Sequence, residues 1–244
     1  MPLRGRSCAR LAFILVASLL FIAACGKKEA TPSATAVAPT PTPSPAAIVA
    51  SASDRMQALK SLRFKMDVEN GSLSLAPGVN TNSLEGETTR PDKLRLKAKA
   101  TFANVVLDIE LVSVGGNAYL RNPLTQQWQA LPAGASPLEG ADPFKVATVM
   151  REAKDLVRLG DEAISGNDTY HLGGSLAPPA VASVIGTVLQ GEVIKGEVWI
   201  DKKEYLVRKL RLDFRKSAAD AQGIISVLNL SDFDQPVTIE APLP

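Results

Sequence analysis

Two cysteines and one histidine are the residues of this chain best equipped for covalent or metal chemistry, and their positions restrict what they can do. Cys25 follows Ile22-Ala23-Ala24, directly after the uncharged run Leu11 to Phe21 and the basic leader Arg4, Arg6 and Arg10. Side chains as small as those of Ala23 and Ala24 admit the backbone to a peptidase groove, and the thiol just beyond the cut can take a lipid. Basic leader, short apolar core and small residues in that order are the layout of an export signal. Ending on cysteine narrows it to the lipid-attachment signal of bacteria. A plain secretory signal or a membrane anchor is the alternative, but the apolar run is short for a spanning helix. Residues 1–24 are therefore expected to be removed. Cys25 is expected to become a lipidated first residue that holds the chain to the extracytoplasmic face of the cell membrane.

The remaining groups argue against catalysis. His171 lies in a short strand-like segment, and no nucleophile or orienting partner is marked by spacing. A metal site is not expected, because no other His or Cys lies beyond Cys25. Asp161-Glu162 and Asp232/Asp234 are acidic pairs outside any carboxylate motif and read as solvated. Gly115-Gly116 and Gly173-Gly174 do not open a strand-to-helix phosphate loop, so no cofactor is expected. Losing the three leader arginines takes the formal charge from +2 to −1, which gives no basis for nucleic-acid binding. The basic rows Arg95/Lys97/Lys99 and Lys209/Arg211/Arg215 read as wet strand faces, with attraction to anionic headgroups as the functional version.

Residues 25–45 hold the lipid site and a tether, with Pro32, Pro39, Pro41, Pro43 and Pro45 among Thr, Ser and Ala. This composition cannot bury apolar surface and favours extended conformers that reach roughly 60 Å at ~3.1 Å per residue. Residues 46–244 form the domain. A helix is expected over about 46–60, with Ser44 as N-cap and Pro45 at its first position. The period then changes to two. Leu62, Phe64, Met66 and Val68 alternate with Arg63, Lys65, Asp67 and Glu69, and the same pattern runs through Leu94 to Phe102 and Val105 to Val112. A loop is expected near Pro77-Gly78, then a strand over 83–89. Gly115-Gly116 and Asn122-Pro123 mark turns. Asp142-Pro143 opens a second helix to about Lys154, and Pro178-Pro179 a third with Val181, Val184, Ile185 and Val188 on one side. Further strands are expected over 156–164, 169–172, 193–200, 206–214 and 224–233. Strands come in runs, so the fold class is α+β: a large curved antiparallel sheet, or half-barrel, of ten or so strands with helices on its concave face.

The greasy strand faces place Phe64, Met66, Val68, Leu94, Leu96, Phe102, Leu107, Ile109 and Leu111 inward, and the helices add Met56, Val146, Met150, Val184 and Val188. An ordinary packed core accounts for that periodicity. Two features favour a pocket instead: few aromatic residues are available to fill the space, and the chain is tethered beside a membrane. A pocket holding one ~16-carbon chain would gain about 13 kcal/mol in transfer free energy before ordering costs.

The chain resembles the LppX/LprAFG lipoproteins of mycobacterial type over about residues 50–242. The resemblance lies in the cysteine-ended signal, the helix leading into Leu62-Arg63-Phe64, the Leu84-Glu85-Gly86 strand and Gly191 through Val198-Trp199-Ile200-Asp201. It includes the ending Phe233-Asp234-Gln235-Pro236-Val237-Thr238-Ile239-Glu240-Ala241-Pro242. It implies a half-barrel like that of bacterial lipoprotein-localisation carriers. It also implies a hydrophobic cavity for acyl chains of membrane lipids or glycolipids, moved within the envelope. It suggests a membrane exporter of the major facilitator type as partner. A filled core would instead suit an anchored interaction or sensor module. A hydrolase would need a nucleophile constellation that the sequence does not display.

Overall fold

The computed structural model describes residues 42–136, 140–186, 194–214 and 223–242. The signal, Cys25 and the tether as far as residue 41 lie outside these, as do Val188 and Arg215. Thr42–Pro244 forms one compact unit.

Helix α1 (Pro45–Ala58) starts as its sequence dictates. The Ser44 hydroxyl accepts the N–H of Ala47, and Pro45 occupies the first turn. The chain then runs through β1 (Ser61–Glu69), β2 (Leu73–Ala76), β3 (Val79–Thr89), β4 (Lys93–Phe102), β5 (Val105–Val114), β6 (Asn117–Arg121) and β7 (Trp128–Ala130). A 3-10 turn (Pro143–Lys145) leads into α2 (Val146–Arg151), with the Asp142 carboxylate accepting the N–H of Phe144. Then come β8 (Lys154–Ile164), β9 (Asn167–Leu176), α3 (Pro178–Ile185), β10 (Ile194–Asp201), β11 (Val207–Phe214) and β12 (Ile224–Ser231).

The described strands form a single twelve-stranded antiparallel sheet in the order β7-β6-β5-β4-β3-β1-β12-β11-β10-β9-β8, with β2 paired to the start of β3. It consists of two meanders joined in the middle. Phe64 of β1 sits opposite Leu230 of β12 on one side and Gly86 of β3 on the other. Because β7 and β8 are opposite edges, the connection between them must cross a face of the sheet, and it carries α2 across the inner one. The expected fold class therefore holds. The β2 hairpin is an addition to the sequence reading, which placed a loop there.

Strand alternation sorts the two faces. Leu62, Phe64, Met66 and Val68 point inward and are buried, while Arg63 and Lys65 are exposed. Helices α1 and α2 lie together, joined by a hydrogen bond of 2.9 Å between the hydroxyls of Ser53 and Thr148. They cover the half of the inner face made by β8 to β12. Met150 of α2 rests over Gly196 of β10, where an added Cβ would lie 3.4 Å from the methionine sulfur. Among the described residues, no helix is long and apolar enough to cross a membrane.

Candidate functional site

The other half of the inner face, from β1 through β5, has a thinner cover. Among the described residues, Ala141 and Pro143, ahead of α2, and Val184 and Ile185 of α3 lie over Phe64, Met66, Leu84, Leu94 and Leu96 and the adjoining Leu228 of β12. These ten residues enclose an apolar cavity of about 30 Å³. A backbone hydrogen bond ties its two covering segments, from the N–H of Asp142 to the carbonyl of Ser183 at 3.1 Å. Helix α3 has no side-chain cap at its start and ends on Gly186 in the left-handed region at φ 72°.

An apolar strip continues outward from the cavity along β4 and β5. Leu94, Leu107 and Ile109 are half-buried, and at the hairpin end Phe102 is 49% and Val105 56% exposed. Cross-strand pairing keeps the strip on one face: Ala98 opposes Ile109, Ala100 opposes Leu107 and Phe102 opposes Val105.

Of the fourteen residues expected to line a pocket, Phe64, Met66, Leu94, Leu96 and Val184 border the cavity. Met56, Val146, Met150 and Leu111 are fully buried in the core, and Val68 is buried there with 9% exposure. The first three belong to α1 and α2, whose side chains fill the space beneath them rather than leaving it open. Phe102, Leu107 and Ile109 lie on the strip beyond the cavity, and Val188 is outside the described residues. Leu84, Ala141, Pro143 and Leu228 border the cavity without having been expected there; the alternation of β3 and β12 carried the signal for Leu84 and Leu228. Among the described residues, this cavity is too small for a chain of ~16 carbons. The cavity is about a tenth of the ~300 Å³ at which ligand pockets begin.

The polar face carries a larger trough, about 540 Å³, bordered by Glu85, Lys97, Lys99, Asp108, Glu110 and Arg121. Its charges pair across strands: Lys99 with Asp108 at 3.3 Å and Arg121 with Glu110 at 3.2 Å, with Arg95 and Glu87 at 3.0 Å nearby. Exposed pairs of this kind contribute little and present no concentrated field. The basic row of β4 is thus largely answered by its neighbours. On β11, Lys209 lies 4.2 Å from the centre of the Trp199 ring and Arg211 bonds Glu197 at 3.0 Å.

His171 is on this outer face. Its Nε2 lies 2.9 Å from Glu197, and its ring stacks on Trp199 with centroids 4.1 Å apart. The indole N–H of Trp199 donates to Glu162 at 2.6 Å. These contacts make the histidine part of a packed polar layer. The acidic pairs are also engaged. Arg158 and then Lys202 hold the Asp161 carboxyl below the ordinary carboxylate range. Asp232 pairs with Arg63, and Asp234 accepts the N–H of Lys60 at 2.7 Å. Glu87 and Asp232 in turn raise the Arg63 guanidinium above its ordinary value. Among the described residues, no group of three or more His, Cys, Asp or Glu is placed to hold a metal.

Comparison with solved structures matches this architecture. LprF from Mycobacterium bovis superposes with a TM-score of 0.65 at 17% identity, covering 84% of this chain and 99% of that one. The Mycobacterium tuberculosis lipoprotein LppX superposes with a TM-score of 0.57 at 18% identity, covering 80% and 98%. A LolA superfamily protein from Nitrosomonas europaea aligns over 81% of this chain at 12% identity, but its TM-score of 0.27 is too low to bear on the fold. No match is found among curated protein sequences. The LppX_LprAFG lipoprotein family model matches residues 44–239, and the chain belongs to that family.

Proposed function

We propose that this lipoprotein is a non-catalytic carrier that takes an acyl chain of a membrane lipid or glycolipid against its inner sheet face and moves it within the cell envelope. The observation that supports this most is the apolar strip on β4 and β5, which runs without a polar side chain from the cavity under α3 to the open hairpin end. A core that served stability alone would cover such a strip, since each buried CH₂ is worth about 0.8 kcal/mol. The small cavity is then the closed form. A chain enters by displacing α3 and the Ala141–Pro143 segment, which are tied to each other by the Asp142–Ser183 hydrogen bond. Apolar packing can be exchanged for ligand contact at modest cost, whereas an ion-paired lid would resist it. Lipidation at Cys25 would keep the carrier at the extracytoplasmic face, and a membrane exporter would supply or receive its cargo.

Titration with a fluorescent fatty-acyl probe tests the reading. Saturable uptake is expected, and Val184→Trp, which fills the cavity from α3, should weaken it while the protein stays folded. Absence of uptake by the folded protein, or uptake indifferent to Val184→Trp, would leave the anchored interaction module as the better account.

A further inference from the structure

The β2–β3 and β4–β5 hairpins end side by side, because β3 pairs with β4 and Val79 lies opposite Phe102. No charged residue occurs from Asn70 to Leu84 or from Ala100 to Leu107, in a chain that is 21% charged. At this end Phe102, Val105 and Val106 are 49%, 56% and 66% exposed. Phe102 and Val105 face the inner side and Val106 the outer side, where charge prevails elsewhere. Apolar surface therefore wraps both sides of the turn, which the inner strip alone would not produce. The turn itself is Ala103-Asn104, uncharged and left-handed at φ 46° and 65°. Behind it, Lys99 and Asp108 neutralise each other at 3.3 Å.

We propose that this paired hairpin end docks on a lipid bilayer, with Phe102, Val105 and Val106 entering between headgroups and acyl chains. An exposed, charge-free tip suits a fluid apolar interface, which needs neither a complementary groove nor a matching charge pattern. β3 pairs with β4 and β4 with β5 here, while Val105–Ile109 of β5 has no second strand beside it among the described residues; the exposed apolar surface lies on side chains above and below the sheet rather than along that edge, which suits a bilayer better than an added strand. Docking would also bring the open end of the β4–β5 strip to the bilayer, although the contact itself does not depend on the cavity.

The unit Thr42–Pro244 contains the whole described core and sheet and, with Cys8 and Cys25 outside it, no thiol. Flotation of this unit with vesicles of phosphatidylcholine alone tests the proposal. Binding is expected and should change little between about 0.1 and about 0.5 M salt. The triple variant Phe102→Ser/Val105→Ser/Val106→Ser should reduce it roughly tenfold or more. The single variant Val106→Asp, on the side away from the strip, should do the same while acyl-probe uptake in vesicle-free buffer is retained. An environment-sensitive dye on Val106→Cys should shift to the blue on adding vesicles. No flotation of the unaltered unit overturns the proposal, as does equal flotation of the folded variants. So does binding that needs phosphatidylglycerol and vanishes in high salt, or a tip that drives self-association instead. Loss of probe uptake with flotation intact would instead count against the carrier reading alone.

Discussion

The Phe64 ring occupies the place where Gly86, its cross-strand neighbour, would carry a side chain: a Cβ at Gly86 would fall 2.6 Å from the ring Cζ and would also clash with the carbonyl oxygen of Arg95. Phe64 can hold this place beside the cavity only because position 86 has no side chain. Gly86→Ala must therefore move both the ring and the β4 backbone. A loss of about 1–3 kcal/mol in chemical denaturation is expected, as for other overpacked sites. Phe64→Leu in the same chain should restore part of it.

The two halves of the inner face should respond differently to truncation. Met150 is fully buried between α2 and Gly196, so Met150→Ala should cost about 2–5 kcal/mol. Leu107 is half-buried on the strip, and Leu107→Ala should cost well under half of that. In acyl-probe titration the order should reverse, with Leu107→Ala the more damaging among variants that remain folded. Paired urea denaturation and probe titration would check both statements.

Much of this division was legible in the sequence. Ser44-Pro45 marked the start of α1, and Asp142-Pro143 the turn into α2. The alternation over residues 62–68 and 94–111 identified the inward side chains. What the sequence did not display came from three physical causes. The β2 strand is four residues long and ends in Pro77-Gly78, a signal that reads as loop until pairing with β3 is known. Helix α3 ends at Ile185 with the left-handed Gly186 as its C-cap, a stop that apolar spacing alone does not display. Whether Met56, Val146 and Met150 surround a hollow or fill it depends on how closely α1 and α2 approach the sheet. Periodicity reports the facing of a side chain but not the distance to what it faces.

Asp201 should set part of the acid limit of stability. Its carboxylate is buried, which alone would raise its pKa. The N–H groups of Glu204 and Lys203, at 2.9 and 2.8 Å, and the Arg208 guanidinium outweigh burial and leave it below the ordinary range. A folded-state pKa below the unfolded value of ~3.9 contributes stability above that value, lost as pH falls through the folded pKa. Asp201→Asn is expected to cost about 1–3 kcal/mol near neutral pH. Its deficit should shrink as pH drops below ~4, where the unaltered protein loses the same contribution. Denaturation midpoints of both proteins at neutral and acid pH would show a constant deficit if the charge of Asp201 were irrelevant.

Gly186 terminates α3 in the left-handed region, and Gly186→Ala should strain that end by about 1 kcal/mol. Since α3 forms one wall of the cavity, this variant should take up acyl probe faster, with the rest of the domain unchanged. Stopped-flow uptake alongside thermal unfolding separates the local effect from general destabilisation.

Native mass spectrometry of the folded protein, released gently from its own membranes, bears most directly on acyl-chain carriage. A discrete extra mass matching one lipid or glycolipid, removed by delipidation and reduced by Val184→Trp, is the predicted result. A protein that carries no such mass, and takes up none when offered lipid, would contradict the account.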